Sequence, residues 1–346
     1  MNRIEPLASP QELKKELPIS QNQLAFVHQS RVDVNRILKG EDSRLLLIVG
    51  PCSIHDVKAA EEYAIKLRDL AKSVSDSFLV LMRVYFEKPR TALGWKGLLY
   101  DPHLDDSNNI STGLRWTRQL LLDLTELKIP IATEILDPAA PGYFSDLISW
   151  GCIGARTAAS QTHRQIVSGL PIPIAFKNST DGNINIAING VLAAAHPHSY
   201  LGVDDAGRTS VIHTSGNEHC HVVLRGGDAR PNYDIESIRM TLKHLELQSL
   251  PQRVLVDCSH GNSNRKHERQ PIVFQSVMHQ ILEGNRQIRG MLIESNLHEG
   301  NQPFLTDRSQ LQYAVSVTDP CIDWITTESL INWGHAKFSK QRAANL

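Results

Sequence analysis

Short apolar runs recur along this chain at a nearly regular spacing, and amphipathic stretches with helical periodicity separate them. The runs are rich in Val, Ile and Leu and lack the polar alternation of a half-exposed strand, which predicts strands buried on both faces, as in a parallel sheet. Eight such strands are predicted outside one hairpin, at 45–49, 78–82, 129–132, 151–155, 173–176, 221–224, 254–256 and 290–293.

Eight βα units within about 250 residues predict an α/β fold of the TIM (β/α)8 barrel type. The helices are expected at 59–70, 113–127, 143–150, 161–168, 183–195, 235–245 and 272–282. A doubly wound sheet is the alternative, but the glycines after the first strand do not form the GxGxxG turn typical of that fold.

Two further segments stand outside this alternation. Strand-like runs at 200–203 and 210–213 flank the turn-rich segment 204–207, which predicts a β-hairpin inserted at about 199–213. Residues 1–40 read as an N-terminal extension with a short helix at 11–17, capped by Ser9 and started by Pro10, and with weak helical character at 32–38. Residues 41–346 are then expected to form one catalytic barrel domain.

The composition excludes several classes of function. The formal net charge is −1, so no basic surface indicates nucleic-acid binding. No apolar run reaches the roughly 18 residues that a membrane helix needs, and the N-terminus has no signal-peptide core. The five cysteines lack a CxxC pair and are too thinly spread for a disulfide framework. We therefore expect a cytoplasmic protein.

Charged side chains follow the predicted strands at the ends where a TIM barrel places its active site. Arginine grips phosphate or carboxylate through two parallel hydrogen bonds, and lysine adds a point charge. Five converging cations are too many for one carboxylate and predict a small substrate with both a phosphate and a carboxylate, with Arg90 and Thr91 available for a second phosphate. The five are Arg83, Lys88, Arg156, Lys177 and Arg225.

A second set at the strand ends contains metal-capable donors. Cys52, His260 and Glu294 follow the first, seventh and eighth strands, and Asp319 is the expected fourth member. One thiolate, one imidazole and two carboxylates are typical of a site for one divalent ion such as Mn, Fe, Co or Zn. Taken singly, Cys52 is equally compatible with a small buried hydrophobe and His260 with an ordinary loop histidine.

Several longer motifs carry a resemblance to a known family over about residues 40–330. The chain resembles the short type I 3-deoxy-D-arabino-heptulosonate-7-phosphate (DAHP) synthases that aromatic amino acids regulate, and details at 259–264 and 315–319 are most similar to the tyrosine-sensitive subtype. The motifs are GPCSIHD at 50–56, MRVYFEKPRT at 82–91, GWKG at 94–97, GART at 154–157, FKN at 176–178, LRGG at 224–227, DCSHGNS at 257–263 and EGNQ at 299–302.

The resemblance implies that the protein is an enzyme, a transferase that condenses phosphoenolpyruvate with erythrose 4-phosphate and water to give DAHP and phosphate at the entry to the shikimate pathway. It further implies that the five cations hold phosphoenolpyruvate, with Lys88 between the two substrates, and that Arg90 and Thr91 hold the phosphate of erythrose 4-phosphate. The metal, bound by Cys52, His260, Glu294 and Asp319, polarises the aldehyde. Glu134 is expected to act on the water or to stabilise positive charge at C2.

Effector control is the second property that the resemblance implies. The hairpin at 199–213 corresponds to the family's feedback element, and the effector, expected to be tyrosine, is placed near Pro141, Leu170, Tyr200 and Ile212. The N-terminal arm that helps to close that pocket is shorter here by several residues, and Pro171 replaces a small polar residue. We therefore expect weaker tyrosine inhibition than in regulated relatives. The resemblance also implies a homodimer or homotetramer.

The chain also departs from the family in its substrate loops. Ala158 and Ala159 stand where the family has Thr-Glu, which removes a carboxylate beside Arg156, and we expect an altered substrate affinity. Ser179 replaces a glycine and would be strained if the position required a positive φ. Two alternatives remain: a 3-deoxy-octulosonate 8-phosphate synthase that uses arabinose 5-phosphate, and a degenerate barrel that acts as a non-catalytic regulatory subunit.

Overall fold

The fold is a closed barrel of eight parallel strands, which confirms the predicted TIM-type architecture. The computed structural model describes residues 4–304 and 308–344. Around the barrel the strands follow the order β1, β2, β3, β4, β5, β8, β9 and β10, and β10 pairs with β1 to close the ring. They are β1 (Leu45–Gly50), β2 (Phe78–Arg83), β3 (Ile131–Glu134), β4 (Trp150–Ile153), β5 (Ile174–Lys177), β8 (His221–Leu224), β9 (Val254–Asp257) and β10 (Ile288–Glu294).

Helices follow the barrel strands and cover the outside. Several begin at a polar cap of the expected kind: Asp56, Asn183 and Asp234 each accept a hydrogen bond from a backbone N–H in the first turn. The helices are α3 (Val57–Ser73), α4 (Ile110–Glu126), α5 (Ala140–Phe144), α6 (Gln161–Val167), α7 (Ile184–Ala194), α8 (Ile235–Leu247), α9 (Gln270–Leu282) and α10 (Trp324–Ala344).

Two helices precede the barrel. Helix α1 (Pro10–Glu16) begins at a capping box formed by Ser9 and Glu12, close to the predicted helix. Helix α2 (Gln21–Lys39) is much longer than the weak signal at 32–38 indicated. Its residues Val34, Ile37 and Leu38 are buried in the same cluster as the inward-facing residues of the barrel strands. We expected this extension to carry no chemistry and to serve in packing or in an oligomer contact, and α2 packs across the N-terminal end of the barrel and closes it.

Three other local predictions need correction. The segment 143–150 is not one helix: α5 ends at Phe144, a single 3-10 turn spans Ser145–Leu147, and Trp150 already belongs to β4. Strand β10 begins two residues earlier than predicted and so includes Arg289. The C-terminal helix α10 was not predicted, because its buried residues, such as Leu330, Ile331 and Phe338, are too sparse to give a clear helical pattern.

The predicted hairpin is present as strands β6 (Ser199–Val203) and β7 (Thr209–His213). Its antiparallel register pairs Tyr200 with Ile212. Helix α1 contacts the hairpin turn, since the backbone N–H of Gln11 donates to the carbonyl of Asp205 at 2.8 Å and Lys14 forms an exposed ion pair with the same residue.

All five cysteines are buried and unpaired. Within residues 4–304 and 308–344, no helix is long and apolar enough to cross a membrane.

Candidate active site

The C-terminal ends of the strands surround one cavity at the mouth of the barrel, and most of the residues predicted for the site reach it. Arg83, Glu134 and Lys177 are the last residues of β2, β3 and β5, so their side chains stand at the rim of the closed sheet. All five cations of the predicted phosphoenolpyruvate set line this cavity. Its charged lining residues are Arg83, Lys88, Arg90, Glu134, Arg156, Lys177, Arg225, His260 and Asp319.

Arg83 is completely buried and held from several sides. Its Nη2 donates to Glu294 Oε1 at 2.7 Å, and its Nε donates to the Pro51 carbonyl at 3.1 Å. The guanidinium carbon lies 3.6 Å from the ring centroid of Tyr85. Nη1 has no partner among the described residues. The guanidinium is thus fixed with one donor left for a ligand.

The metal-type donors lie directly beside this arginine. Ligand atoms of Cys52, Glu294 and Asp319 all lie within 4.8 Å of one another. Lys88 Nζ is 3.2 Å from Cys52 Sγ. Burial raises the pKa of the Cys52 thiol to about 11, the Glu294 carboxylate adds to this, and Lys88 partly offsets it. Because only the thiolate is a good ligand, a metal ion would have to displace this proton.

His260 lies at the edge of the donor cluster. Its Nε2 is 3.7 Å from Glu294 Oε1, and its Nδ1 is 3.0 Å from Asp257 Oδ2. The closer partner of Nδ1 is Ser259 Oγ at 2.7 Å, and this hydroxyl in turn donates to Asp257 Oδ1 at 2.6 Å. Metal-bound histidines usually engage their second ring nitrogen in such a hydrogen bond, and this arrangement leaves Nε2 free for an ion. The backbone of His260 has a φ of +56°, a strained conformation that is common at functional sites.

Asp257 is a functional candidate that the sequence did not single out. Its Oδ2 is 2.8 Å from Lys177 Nζ, so this carboxylate joins a substrate-type cation to His260. Burial alone would raise the pKa of Asp257, but Lys177 and His260 outweigh burial and hold the pKa well below its usual value. Its position as the last residue of β9 was the available signal.

The outer part of the mouth carries the more exposed cations. Arg156 is exposed, and its Nε donates to Thr91 Oγ1 at 3.0 Å. Arg90 Nε donates to the Trp95 carbonyl at 2.7 Å, which anchors it within its own loop. The structure therefore places Arg90 and Thr91 beside Arg156. Thr91 contacts this arginine rather than lining the cavity itself.

Arg225 approaches from β8 and is buried. Its Nη1 donates to the Gly226 carbonyl at 3.2 Å, and its backbone N–H donates to Asn178 Oδ1 at 2.9 Å. The loop after β5 thus helps to position the loop after β8.

Glu134 is buried, and its Oε1 has no hydrogen-bond partner among the described residues. A Cβ added to Gly154 would lie 2.1 Å from that oxygen, so the close approach of the carboxyl group requires glycine there. A buried, unpartnered carboxyl oxygen that lines a cavity is suited to contact a ligand or a water molecule.

The chemistry of the donor set fits a divalent transition metal. A sulfur and two carboxylates lie close enough to share one ion, and an imidazole nitrogen lies beside them. Mixed S, N and O donors suit ions such as Mn, Fe, Co and Zn, but this combination does not select one of them.

The predicted effector residues are distributed around the hairpin. Tyr200 and Ile212 face each other on its half-buried side, and Leu170 follows α6 near the hairpin base, where Ser168 Oγ and Thr214 Oγ1 are 2.6 Å apart. Pro141 is buried in α5. The hydroxyl of Tyr143, also in α5, donates to the carbonyl of Ala8 at 2.7 Å. The segment before α1 therefore lies against the helix that contains Pro141.

The residues that depart from the family pattern differ in their burial and backbone conformation. Ala158 is completely buried, whereas Ala159 is exposed. Ser179 does not have a positive φ, so the concern about strain at this position was wrong. Its hydroxyl donates to Asp181 Oδ1 instead.

Fold and site together define a TIM barrel whose mouth gathers six cations over a Cys, Glu and Asp cluster. A model of the DAHP synthetase I family matches residues 16–332, and the chain belongs to this family.

Three known proteins show how close the similarity is. The Tyr-sensitive phospho-2-dehydro-3-deoxyheptonate aldolase of Salmonella typhimurium is 50% identical over 340 residues, covering 98% of this chain and 95% of that protein. The Phe-sensitive enzyme of Escherichia coli is 45% identical over 331 residues, covering 96% and 94%. The solved structure of the phospho-2-dehydro-3-deoxyheptonate aldolase from Francisella tularensis superposes with a TM-score of 0.95 at 41% identity, over 99% of both chains.

Proposed function

We propose that this protein is a transferase that condenses phosphoenolpyruvate and erythrose 4-phosphate with water to form DAHP and inorganic phosphate, the first step of the shikimate pathway. The observation that carries the proposal is the convergence of five cations on one cavity beside the Cys52, Glu294 and Asp319 cluster. The family and the names of the relatives support the same activity.

In this proposal the five cations bind the phosphate and carboxylate groups of phosphoenolpyruvate. Arg83, Lys177 and Arg225 are buried, so their interactions with an anion are weakly screened by solvent. Exposed Arg156 completes this set from the outer edge of the cavity. Lys88 lies between that set and the metal donors, where it can contact both substrates.

Arg90 and Thr91 hold the phosphate of erythrose 4-phosphate, which sets how far its aldehyde reaches into the mouth. The contact between Arg156 and Thr91 couples the two substrate sites. Cys52, His260, Glu294 and Asp319 would hold one divalent ion, which supplies Lewis-acid polarisation of the aldehyde oxygen. Asp257 and the Ser259 hydroxyl that donates to it orient His260 through its Nδ1.

The bond changes follow from the substrates. C3 of phosphoenolpyruvate forms a bond to the aldehyde carbon, positive charge develops at C2, and water adds there. Cleavage of the bond between C2 and the phosphate oxygen then releases phosphate. The unpartnered Oε1 of Glu134 supports its role as the group that stabilises this charge or accepts the proton of the water.

A phosphate-release assay with phosphoenolpyruvate and either erythrose 4-phosphate or arabinose 5-phosphate tests the proposal. We expect release with the first aldose and a rate at least tenfold lower with the second, since each tenfold preference needs only about 1.4 kcal/mol. Preference for arabinose 5-phosphate would indicate the octulosonate alternative. No release with either aldose, in the presence of each divalent metal, would indicate a non-catalytic barrel.

Feedback by an aromatic amino acid, with tyrosine as the expected effector, is the regulatory part of the proposal. Relatives named Tyr-sensitive and Phe-sensitive support the class of effector, and Pro141, Leu170, Tyr200 and Ile212 are the proposed contacts. The contacts of α1 with the hairpin turn support a link between the N-terminal segment and this site. We expect weaker inhibition by tyrosine than in the Tyr-sensitive relative, and equal inhibition in parallel assays would refute this. A cytoplasmic homodimer or homotetramer remains part of the proposal.

A further inference from the structure

A second group of cations lies at the opposite end of the barrel, beside the helix α2 that closes it. A cavity of about 440 Å³ occurs there, between the C-terminal end of α2 and the starts of β8, β9 and β10. Lys39, Arg253 and Arg289 line it, and Glu218 is its one acidic lining residue. We call it the basal cavity. None of its lining residues belongs to the mouth described above.

Arg253 is only 5% exposed and has no carboxylate partner among the described residues. Its Nη2 donates to the carbonyls of Glu218 and Cys220, at 3.0 and 3.3 Å. Its Nε is buried without a partner, and Nη1 makes no hydrogen bond within the described part of the chain. A buried guanidinium satisfied only by carbonyls keeps its full charge and has donors to spare.

Arg289 has even fewer hydrogen-bond partners than Arg253. It forms no hydrogen bond or ion pair with any residue in 4–304 or 308–344, and its Nε is buried. The guanidinium packs against Gly40, which has a φ of +80° and ends α2. The position of a Cβ at Gly40 lies 2.5 Å from Arg289 Nη2, so the guanidinium lies directly against this turn.

The electrostatics of the basal cavity indicate uncompensated positive charge. Burial lowers the pKa of Arg289, and the only charge that contributes is that of Arg286, which lowers it further. Burial also lowers the pKa of nearby His219. Glu218 opposes this effect, but Lys39 and Arg253 reinforce it. Burial lowers the pKa of Arg253 as well, and Arg289 adds to this while Cys220 and Glu218 oppose it. The Glu218 carboxylate is largely exposed, so solvent screens its effect on these cations.

We propose that the basal cavity is a binding site for a small anion with a phosphate group, either inorganic phosphate or a phosphate monoester. Two guanidinium groups with free donors match the tetrahedral oxygens of phosphate, and Lys39 supplies a third charge at the entrance. The cavity is large enough for a small phosphorylated metabolite. Bound phosphate would join the end of α2 to the starts of β9 and β10, far from the proposed substrates.

Hydrogen–deuterium exchange on the full protein, with and without inorganic phosphate at constant ionic strength, tests this proposal. Phosphate bound at the mouth protects the loops that follow the strands, whereas phosphate in the basal cavity protects segments 216–220, 250–254 and 284–289. We expect exchange in these basal segments to slow by roughly threefold or more. Protection confined to the mouth would overturn the proposal. Glycerol 3-phosphate in a parallel experiment separates a monoester site from one that accepts only free phosphate.

Matched variants identify the residues responsible. Arg289→Gln and Lys39→Gln should each raise, by about tenfold, the phosphate concentration needed to protect the basal segments. This is the effect expected from losing one charge-assisted contact. Lys243→Gln removes an exposed positive charge on α8 that does not line the basal cavity, and this variant should bind phosphate as the parent does. Lys39 is exposed, so its variant should fold even if Arg289→Gln is unstable. Unchanged protection in both cavity variants would overturn the proposal, because phosphate would then bind without either of these charges.

Discussion

Arg83 illustrates how single residues create the chemistry of the mouth. It carries a full charge at zero exposure because Glu294, two backbone carbonyls and the face of Tyr85 surround it. A guanidinium fixed in this way does not have to be ordered when the substrate binds, so less binding energy is lost. Tyr85 is therefore a positioning residue, and its hydroxyl is separately engaged with Cys152 Sγ at 3.0 Å.

Replacing Tyr85 with leucine should lower kcat/KM for phosphoenolpyruvate by roughly 30-fold, because a desolvated cation–π contact contributes about 2 kcal/mol. Steady-state kinetics should show most of the loss in KM. Tyr85→Phe keeps the ring and removes only the contact with Cys152, so it is the matched control and should remain near the parent. Equal kinetics in both variants, with similar melting temperatures, would contradict the role of the ring.

Asp257 should control the metal site through His260. Asp257→Asn removes the negative charge beside His260 Nδ1 and weakens the acceptor of the Ser259 hydroxyl that hydrogen bonds to this nitrogen. Loss of such an outer contact typically lowers metal affinity by about 10–100-fold. Competition with a chelator during titration with Mn²⁺ or Co²⁺ measures the change. Asp228→Asn is the control, since the Asp228 carboxylate is exposed and forms its ion pair with exposed Arg265, at 3.0 Å. An unchanged affinity in Asp257→Asn would show that His260 does not need this partner.

At the scale of single residues, the sequence identified many of the side chains at the mouth but not the contacts that they make with one another. The rule that barrel strands end at the active site was enough to identify Arg83, Lys177 and Glu294 from the order of residues along the chain. It could not identify the stacking of Tyr85 under Arg83 or the bridge that Asp257 makes between Lys177 and His260. Those contacts depend on side-chain directions across separate strands, and a linear pattern does not contain that information.

Among the elements, the strands were predicted best and the terminal helices worst. A continuous apolar run such as Leu45–Gly50 has few other interpretations in a chain with regular βα spacing. Helix α2 was largely missed because its buried face includes the polar Gln23 and Ser30 while the apolar Leu24 and Val32 are exposed, so its helical periodicity is weak. The turn at Ser145–Leu147 interrupts a helical pattern through local packing. In each case tertiary contacts override the local signal.

Strand β8 contains a pH-sensitive element in the barrel interior. His221 is buried, its Nδ1–H donates to the His219 carbonyl at 3.1 Å, and its Nε2 accepts the Trp150 indole N–H at 3.1 Å. A second proton would therefore face another donor. Burial, with a smaller contribution from Arg253, lowers the pKa of His221 to about 3.

The sign of the stability change follows from linkage. Below about pH 6.5 the unfolded chain protonates His221 and the folded chain does not, so stability falls as the pH drops from about 6.5 towards about 3. From about pH 6.5 to about pH 5 this group should cost roughly 1.5–2 kcal/mol. Urea unfolding should show that cost in the parent and not in His221→Gln, which keeps an acceptor for Trp150. His213→Gln, at an exposed site, is the control and should retain the parent's pH dependence.

At the scale of the whole molecule, closure of the barrel separates two charged ends. One end gathers six cations over the metal-type donors, and the other holds Arg253, Arg289 and Lys39 around the basal cavity. Only the first end could be predicted from the sequence, because the rule on strand ends applies to the C-terminal side. Arg289 was missed because β10 was predicted to begin at residue 290 rather than at Ile288. The long helix α2 that borders the basal cavity was not expected.

The most direct test of the account is metal-dependent phosphate release from phosphoenolpyruvate and erythrose 4-phosphate. We expect no release after EDTA treatment, recovery on adding a divalent metal, and loss of at least about 10³-fold in Cys52→Ala even with metal present. Cys152→Ala is the matched control, since Cys152 is equally buried but lies outside the donor cluster. Full activity of the EDTA-treated protein, or of Cys52→Ala, would contradict a mouth built from cations around one metal ion.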